Sequence, residues 1–321
     1  MKYFITGGAG FIGSHLAEEL IRNKHEVIVL DDLSTGHYEN IAHFASHPGF
    51  EFVAGSILDE YLVDKFGERA DCFFHLAAAV GVELVVNNPL ECLSTNIRGS
   101  EMILNIAHRY HKKVLVVSSS EIYGKNTNVP LKEEDDRLLG SPLKSRWGYS
   151  TSKAVDELLA YNYYKCKGLP TIIVRLFNTV GPRQSGAYGM VIPRFVKQAL
   201  AGEPLTVYGT GKQSRCFVHV RDAVDVMIGL MNHPQAPGEV FNVGSQEEIT
   251  IEDLAKKIIE FTQSSSKVVY LPYNKVYEQG FEDMMRRLPD ISKIRKLIGF
   301  LPSMNLDEIV QDVIQYIKIQ K

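Results

Sequence analysis

Nowhere in the 321 residues do about 18 apolar residues run on uninterrupted, so a membrane-spanning helix is not expected. The first residues also lack a basic n-region, an apolar h-region and a small-residue cleavage site, and no secretory leader is expected. Cysteine is scarce: Cys72, Cys92, Cys166 and Cys216 stand far apart with no CxxC pair. That spacing excludes a disulfide framework and a cysteine-built metal site. Reduced, mostly buried thiols in the cytoplasm are expected instead, and no metal. A preponderance of one charge is missing too. The net charge is −3, and no lysine-rich tail or basic helix offers a face to nucleic acid. No internal repeat or low-complexity tract is present.

What the chain does have is a glycine-rich turn at its start. Thr6-Gly7-Gly8-Ala9-Gly10-Phe11-Ile12-Gly13 follows an apolar run, Met1 to Thr6, that reads as a short buried strand. It precedes Ser14 to Asn23, which places Leu16, Leu20 and Ile21 on one helical face. On such a strand-to-helix turn Gly7 permits the sharp bend, Gly10 lets backbone N–H groups approach a pyrophosphate, and Gly13 lets helix and strand pack closely. Asp31 ends a second apolar strand about twenty residues beyond the glycines, where a carboxylate accepts the adenosine ribose hydroxyls. No arginine follows it directly to receive a 2′-phosphate, which favours NAD over NADP.

Strand-like runs recur at Lys2 to Thr6, Glu26 to Leu30, Glu51 to Ala54, Cys72 to Leu76, Val114 to Ser118 and Thr171 to Arg175, with helical patterns between most of them. The alternation predicts an α/β fold, a Rossmann-like doubly wound parallel sheet. After Asn178 the texture changes to Gly181-Pro182-Arg183, a Gly-rich loop through Gly189 and shorter elements with repeated Gly and Pro. The expected division is a dinucleotide domain over 1–178 and a smaller C-terminal α/β substrate lobe over 179–321. Residues 217–243 are expected to return to the first domain, since Phe217 to Met231 reads as a further strand and helix. Thr250 to Phe261 and Asn305 to Ile317 read as amphipathic helices, the former capped by Thr250 with Asp253 three residues on.

Tyr149-Ser150-Thr151-Ser152-Lys153 opens another helical pattern, which puts Tyr149 and Lys153 one turn apart on one face. A lysine beside a phenol, with a nicotinamide cation nearby, favours the phenolate and is expected to lower its pKa well below about 10. The phenolate then takes a proton from an alcohol of the substrate.

With the glycine turn, Asp31, His75-Leu76-Ala77-Ala78, Asn96, Ser118 to Gly124, Tyr149 with Lys153, Arg175 to Arg183, Tyr208-Gly209, Gln213-Ser214-Arg215 and Arg287-Leu288-Pro289-Asp290, the chain resembles the extended short-chain dehydrogenase/reductases of nucleotide sugars. The resemblance runs nearly end to end. It implies that Gly7, Gly10, Phe11, Ile12, Gly13, Asp31, Asp32, Ser56, Ile57, Leu76, Ala77, Ala78, Asn96, Tyr149 and Lys153 hold NAD. It further implies that Ser119, Tyr149 and Lys153 serve proton and hydride transfer. Asn178, Arg183, Val191, Tyr208, Arg215 and Arg287 would bind a UDP-sugar, with Leu205 to Tyr208 flanking the base and arginines matching paired phosphate oxygens. A homodimer through the helices after Pro89 and around Tyr149 to Tyr164 is implied as well, although their periodicity fits burial within one chain equally well. One position departs from the family pattern. Gly55-Ser56-Ile57 stands where Gly-Asp and an aliphatic residue are usual.

The fate of the ketone formed by oxidation at C4 of the sugar separates the possible reactions. Where a 4,6-dehydratase carries an Asp-Glu pair this chain has Ser120-Glu121, so dehydration lacks its Asp. Ser119-Ser120-Glu121, Arg146-Trp147 and Arg215-Cys216-Phe217 resemble UDP-glucuronate decarboxylases, with Ser120, Glu121 and Arg215 then acting at the carboxylate and C5. A C4 ketone makes such a uronate a β-keto acid, which loses carbon dioxide readily. The loop Ala78-Ala79-Val80-Gly81-Val82 looks more like that of 4-epimerases, which keeps a UDP-sugar 4-epimerase as the alternative. A non-catalytic NAD-binding scaffold is the alternative from another class, and the presence of both Tyr149 and Lys153 weighs against it. Asp31 and the arginines of the second lobe disfavour a simple NADP reductase.

Overall fold

In the computed structural model, which describes residues 1–79, 88–186, 190–275 and 284–320, strand β1 (Lys2–Thr6) runs through the glycine turn into helix α1 (Phe11–Arg22). The chain continues through β2 (Glu26–Asp31), β3 (Phe50–Ala54), α2 (Glu60–Glu68), β4 (Cys72–His75), α3 (Pro89–Arg109), β5 (Lys113–Ser119), α4 (Gly148–Lys167) and β6 (Thr171–Leu176). Shorter elements come next: β7 (Thr179–Val180), α5 (Val191–Leu200), β8 (Leu205–Tyr208), β9 (Ser214–Cys216), β10 (Val218–His219), α6 (Val220–Asn232) and β11 (Val240–Val243). The last are β12 (Glu248–Thr250), α7 (Ile251–Thr262), β13 (Val268–Leu271), α8 (Ser292–Ile298) and α9 (Leu306–Ile319).

Seven strands form one parallel sheet in the order β3-β2-β1-β4-β5-β6-β11. Its period-two pattern is buried on both faces, as helix-covered parallel sheets require. Tyr3 and Ile5 join Leu16 and Leu20 of α1 and Met227 and Leu230 of α6 in one core. Phe4 points the other way, to Phe73, Ile103 and Ala107 of α3, and Ala160 of α4. Each fully buried large apolar side chain contributes about 1.5–3 kcal/mol by leaving water. A third core, with Phe195, Leu254, Ile309 and Val313, lies under α5, α7 and α9.

The stretch Phe217 to Met231 forms the expected strand and helix, but its strand does not enter the large sheet. β10 pairs with β7, and the segment that reaches β6 is β11. β10 is only two residues long and leads directly into α6, whose apolar face covers the sheet and carries the chain back to its edge. The cap of α7 is the expected one: Thr250 Oγ1 accepts from the Asp253 N–H at 3.1 Å. Val80-Gly81-Val82 and Gly189 lie outside the described residues. Among the described residues no helix is long and apolar enough to cross a membrane.

Candidate active site

The strand order reverses between β1 and β4, and a cleft opens outside the carboxyl ends of these strands, where doubly wound sheets bind ligands. Its volume is about 620 Å³, and residues of both the sheet and the third core line it.

At one end lies the glycine turn. Gly7 has φ +73°, and a Cβ there would stand 2.7 Å from Ala77 N. A Cβ on Gly13 would stand 2.2 Å from Gly7 O and 2.7 Å from Gly8 Cα, backbone atoms with no freedom to yield. Gly13→Ala is therefore expected to cost about 1–3 kcal/mol and to weaken dinucleotide retention, measured by thermal unfolding and by cofactor content after desalting. Asp31 is buried against this turn: Oδ2 accepts from Ala9 N and Oδ1 from Leu33 N, both at 2.9 Å. Burial raises its carboxyl above the ordinary value, against the pull of those backbone donors.

Gly7, Gly10, Phe11, Ile12, Gly13, Asp31, Asp32, Ile57, Leu76, Ala77 and Ala78 all line the cleft. Ser56 does not; its Oγ is turned back to accept from Leu58 N at 3.2 Å. Asn96 lies beneath the lining, fully buried. It accepts from Ala79 N at 2.8 Å and donates to Ser152 Oγ at 3.0 Å, which ties the loop after β4 to α4.

Tyr149 and Lys153 open α4, and both line the cleft together with Ser119, whose Oγ accepts from Glu121 N at 3.2 Å. The fall in the Tyr149 pKa was expected from Lys153 and a nicotinamide cation together, and the protein groups alone do not produce it. Burial raises the phenol above its ordinary value, and Lys153 pulls against that without cancelling it, while Glu121 and Asp156 add to the rise.

Beyond the phenol stands a buried cationic cluster. Arg287 donates to Ser120 Oγ at 3.0 Å and to Glu121 Oε1 at 2.8 Å, and Arg146 Nη1 lies 2.5 Å from Glu121 Oε2. Although burial opposes ionisation of Glu121, Arg146 and Arg287, with Arg215 further off, hold its carboxyl down at about 2. Glu121 is thus an ionised acceptor at neutral pH, not a resting proton donor. Arg215 donates to Ser214 O and Met284 O, and β9 carries it against β12. The Cys216 thiol donates to Arg287 O at 2.9 Å, and Asp290 N to Leu131 O at 2.7 Å, so Arg287 is held by both halves of the chain.

Asn178, Val191 and Tyr208 line the far end of the cleft, and Asn178 Nδ2 donates to Cys216 O. Arg183 is brought elsewhere: it bonds Glu18 and Ser14 on α1 and does not line the cleft. Its φ of +67° turns it away from the cavity and over the helix. Arg194, which the sequence motifs do not single out, does line the cleft, with its guanidinium 4.0 Å from the Tyr208 ring centroid. Its position one turn after Val191 was the available signal.

The donor set fits the two ligand classes expected. Bare backbone at the glycine turn leaves room for a pyrophosphate, Asp31 for ribose hydroxyls. Arg287 keeps a buried Nε without a partner among the described residues, suited to an anion.

Fold and site together define an enzyme of the extended short-chain dehydrogenase/reductase type. The chain belongs to the GDP-mannose 4,6 dehydratase family, whose model matches residues 4–313. It is 42% identical to a UDP-N-acetyl-alpha-D-glucosaminuronate decarboxylase of Bacillus cytotoxicus, covering 99% of this chain and 98% of that protein. It is 36% identical to UDP-glucuronic acid decarboxylase 1 of Danio rerio, covering 98% of this chain and 72% of that protein. The fold is also similar to a UDP-glucuronic acid 4-epimerase of Bacillus cereus solved with UDP-glucuronic acid and NAD. There the TM-score is 0.90 at 27% identity, with both chains fully covered.

Proposed function

We propose that this protein is an NAD-dependent decarboxylase of UDP-hexuronates working through a transient 4-keto sugar. The observation that carries the proposal is the ionised Glu121 held between Arg146 and Arg287 next to Tyr149. The decarboxylase relatives support it. NAD would be held by Gly7, Gly10, Gly13, Asp31, Leu76, Ala77 and Lys153, and when bound it supplies the acceptor that makes C4 a ketone and can later restore the alcohol.

The chain's own groups do the rest. Tyr149 accepts the C4 hydroxyl proton as phenolate, a form that the Lys153 ammonium together with the positive nicotinamide of bound NAD would favour over the protonated resting phenol. Arg215 and Arg287 are positioned for the diphosphate and carboxylate charges, and Ser119 orients the phenol. When the C5–C6 bond breaks, carbon dioxide leaves and its electron pair passes to the C4 oxygen. There the Tyr149 phenol, now protonated, hydrogen-bonds the developing charge. A proton from water entering the cleft then adds at C5 to complete a 4-keto pentose.

The substrate lobe is assigned to 179–216 and 244–321, and 217–243 to the dinucleotide domain. A homodimer is part of the same proposal. Leu90 of α3 and Leu158, Tyr161 and Tyr164 of α4 are exposed large apolar groups on two helices packed side by side. A cytoplasmic setting is proposed from the four free thiols.

A second reading, 4-epimerisation, is supported by the Bacillus cereus neighbour. Proton NMR of purified enzyme with NAD and either UDP-glucuronate or its 2-acetamido counterpart separates the two. A UDP-pentose or 4-keto pentose with release of carbon dioxide is the expected product. Conversion to the galacto form with all carbons retained would replace the proposal with the second reading.

A further inference from the structure

Three residues beyond Lys153, on the same face of α4, Asp156 is 0% exposed. Its Oδ2 accepts from Lys153 Nζ at 2.7 Å, and its Oδ1 has no partner among the described residues. A buried carboxylate is costly to place and normally has both oxygens satisfied. One left half-satisfied, bonded only to the lysine of the proton-transfer pair, calls for an explanation.

The surroundings narrow it. From β4, His75 faces the pair, its ring nitrogens engaged by Thr6 Oγ1 at 2.8 Å and Ser100 Oγ at 2.9 Å. Burial and then Lys153 hold it down at about 4, so it is neutral. From α3 come only neutral groups, Ser100 and the Asn96 amide that bonds Ser152. On α4 itself, Glu157 is committed to Arg175 and Ser118. From the turn after β5, Glu121 is committed to Arg146 and Arg287. Asp156 is the carboxylate, among the described residues, that bonds Lys153.

We infer that Asp156 is a positioning residue for proton transfer: it anchors the Lys153 ammonium to its own helix and offsets part of its charge. Beside burial and Glu121, it thereby helps to keep the Tyr149 phenol protonated in the resting enzyme. The inference rests on the roles proposed above for Tyr149 and Lys153. Coulomb's law sets the direction. Asp156 and Glu121 both disfavour the phenolate, and Asp156 favours the charged lysine. Neutralising Asp156 must lower both pKa values, which makes the phenolate easier and the ammonium harder to form.

The test compares wild type with Asp156→Asn and Asp156→Ala in two measurements. Ultraviolet titration near the phenolate band, with the same variants carrying Tyr149→Phe subtracted, reads the phenol without any turnover. The pH profile of product formation reads both groups. Expected is a shift of the Tyr149 titration and of the acid limb to lower pH by about one unit, with the alkaline limb moving the same way. An unmoved or raised phenol titration overturns the inference, as does failure of both variants to fold, which would make Asp156 a stability residue. A wild type that turns over neither uronate defeats the proposed function instead, while the phenol titration still decides the inference.

Discussion

Tyr149→Phe lowers turnover by about 10²–10⁴-fold, the usual contribution of a positioned acid–base group, with little change in fold or in retained dinucleotide. The substitution removes one oxygen from a partly exposed side chain that lines the cleft, so the packing beneath it is kept. Without the phenol, nothing else in the described cleft is poised to take the C4 proton. Glu121 is ionised but committed to Arg146 and Arg287, and His75 is spent on Thr6 and Ser100. The loss belongs in kcat with KM nearly unchanged, because Arg215 and Arg287 bind the substrate without the phenol's help. Single-turnover measurement of C4 oxidation checks it directly. Turnover within threefold of wild type would take the proton-accepting role away from Tyr149.

The sheet was legible because its strands are short apolar runs separated by amphipathic helices, so period alone located them. Predicted and observed strand ends differ by about one residue, as for Val114 to Ser118 against Lys113–Ser119. The glycine turn was legible for a steric reason, since Gly7 and Gly13 stand where no Cβ fits. Pairing partners were less so. β10 and β11 are both brief apolar stretches, and which of them reaches β6 depends on where α6 lies. At the site, single residues of known type were found but their mutual engagement was not. Arg183 carries the right chemistry and is spent on Glu18. Ser56 closes a local turn instead of facing the cleft. Burial, with Glu121 and Asp156, raises the Tyr149 phenol, and the local YxxxK spacing shows Lys153 but none of these. Asp156 illustrates the same limit from the other side: spacing puts it one turn from Lys153 but does not show that it is fully buried.

The helix that carries Tyr149 and Lys153 is fixed to the sheet by a second buried pair, and breaking that pair should have a large effect on stability. Arg175 of β6 donates to both oxygens of Glu157 on α4, Nε to Oε1 at 2.9 Å and Nη2 to Oε2 at 2.7 Å. Ser118 of β5 donates to the same Oε1 at 2.5 Å. Through Nη1 the guanidinium reaches Tyr123 Oη and Glu133 O, both at 2.8 Å, and Tyr123 donates to Asn242 of β11 at 2.7 Å. Four elements thus meet around one ion pair. Glu157→Ala leaves Arg175 charged, buried and short of its partner, which costs about 3–5 kcal/mol and lowers the melting temperature by roughly 5–15 °C. Attraction and desolvation nearly cancel for the intact pair, so Glu157→Met with Arg175→Met should be less damaging than the sum of the single changes, a coupling read from a double-mutant cycle. A single Glu157→Ala change costing under about 1 kcal/mol, the range of an exposed pair, would show that the pair does not fix the helix. The activity of the destabilised variant, assayed well below its melting temperature, then reports on geometry: α4 displaced from β5 separates Tyr149 from Ser119, and turnover falls even where the protein remains folded.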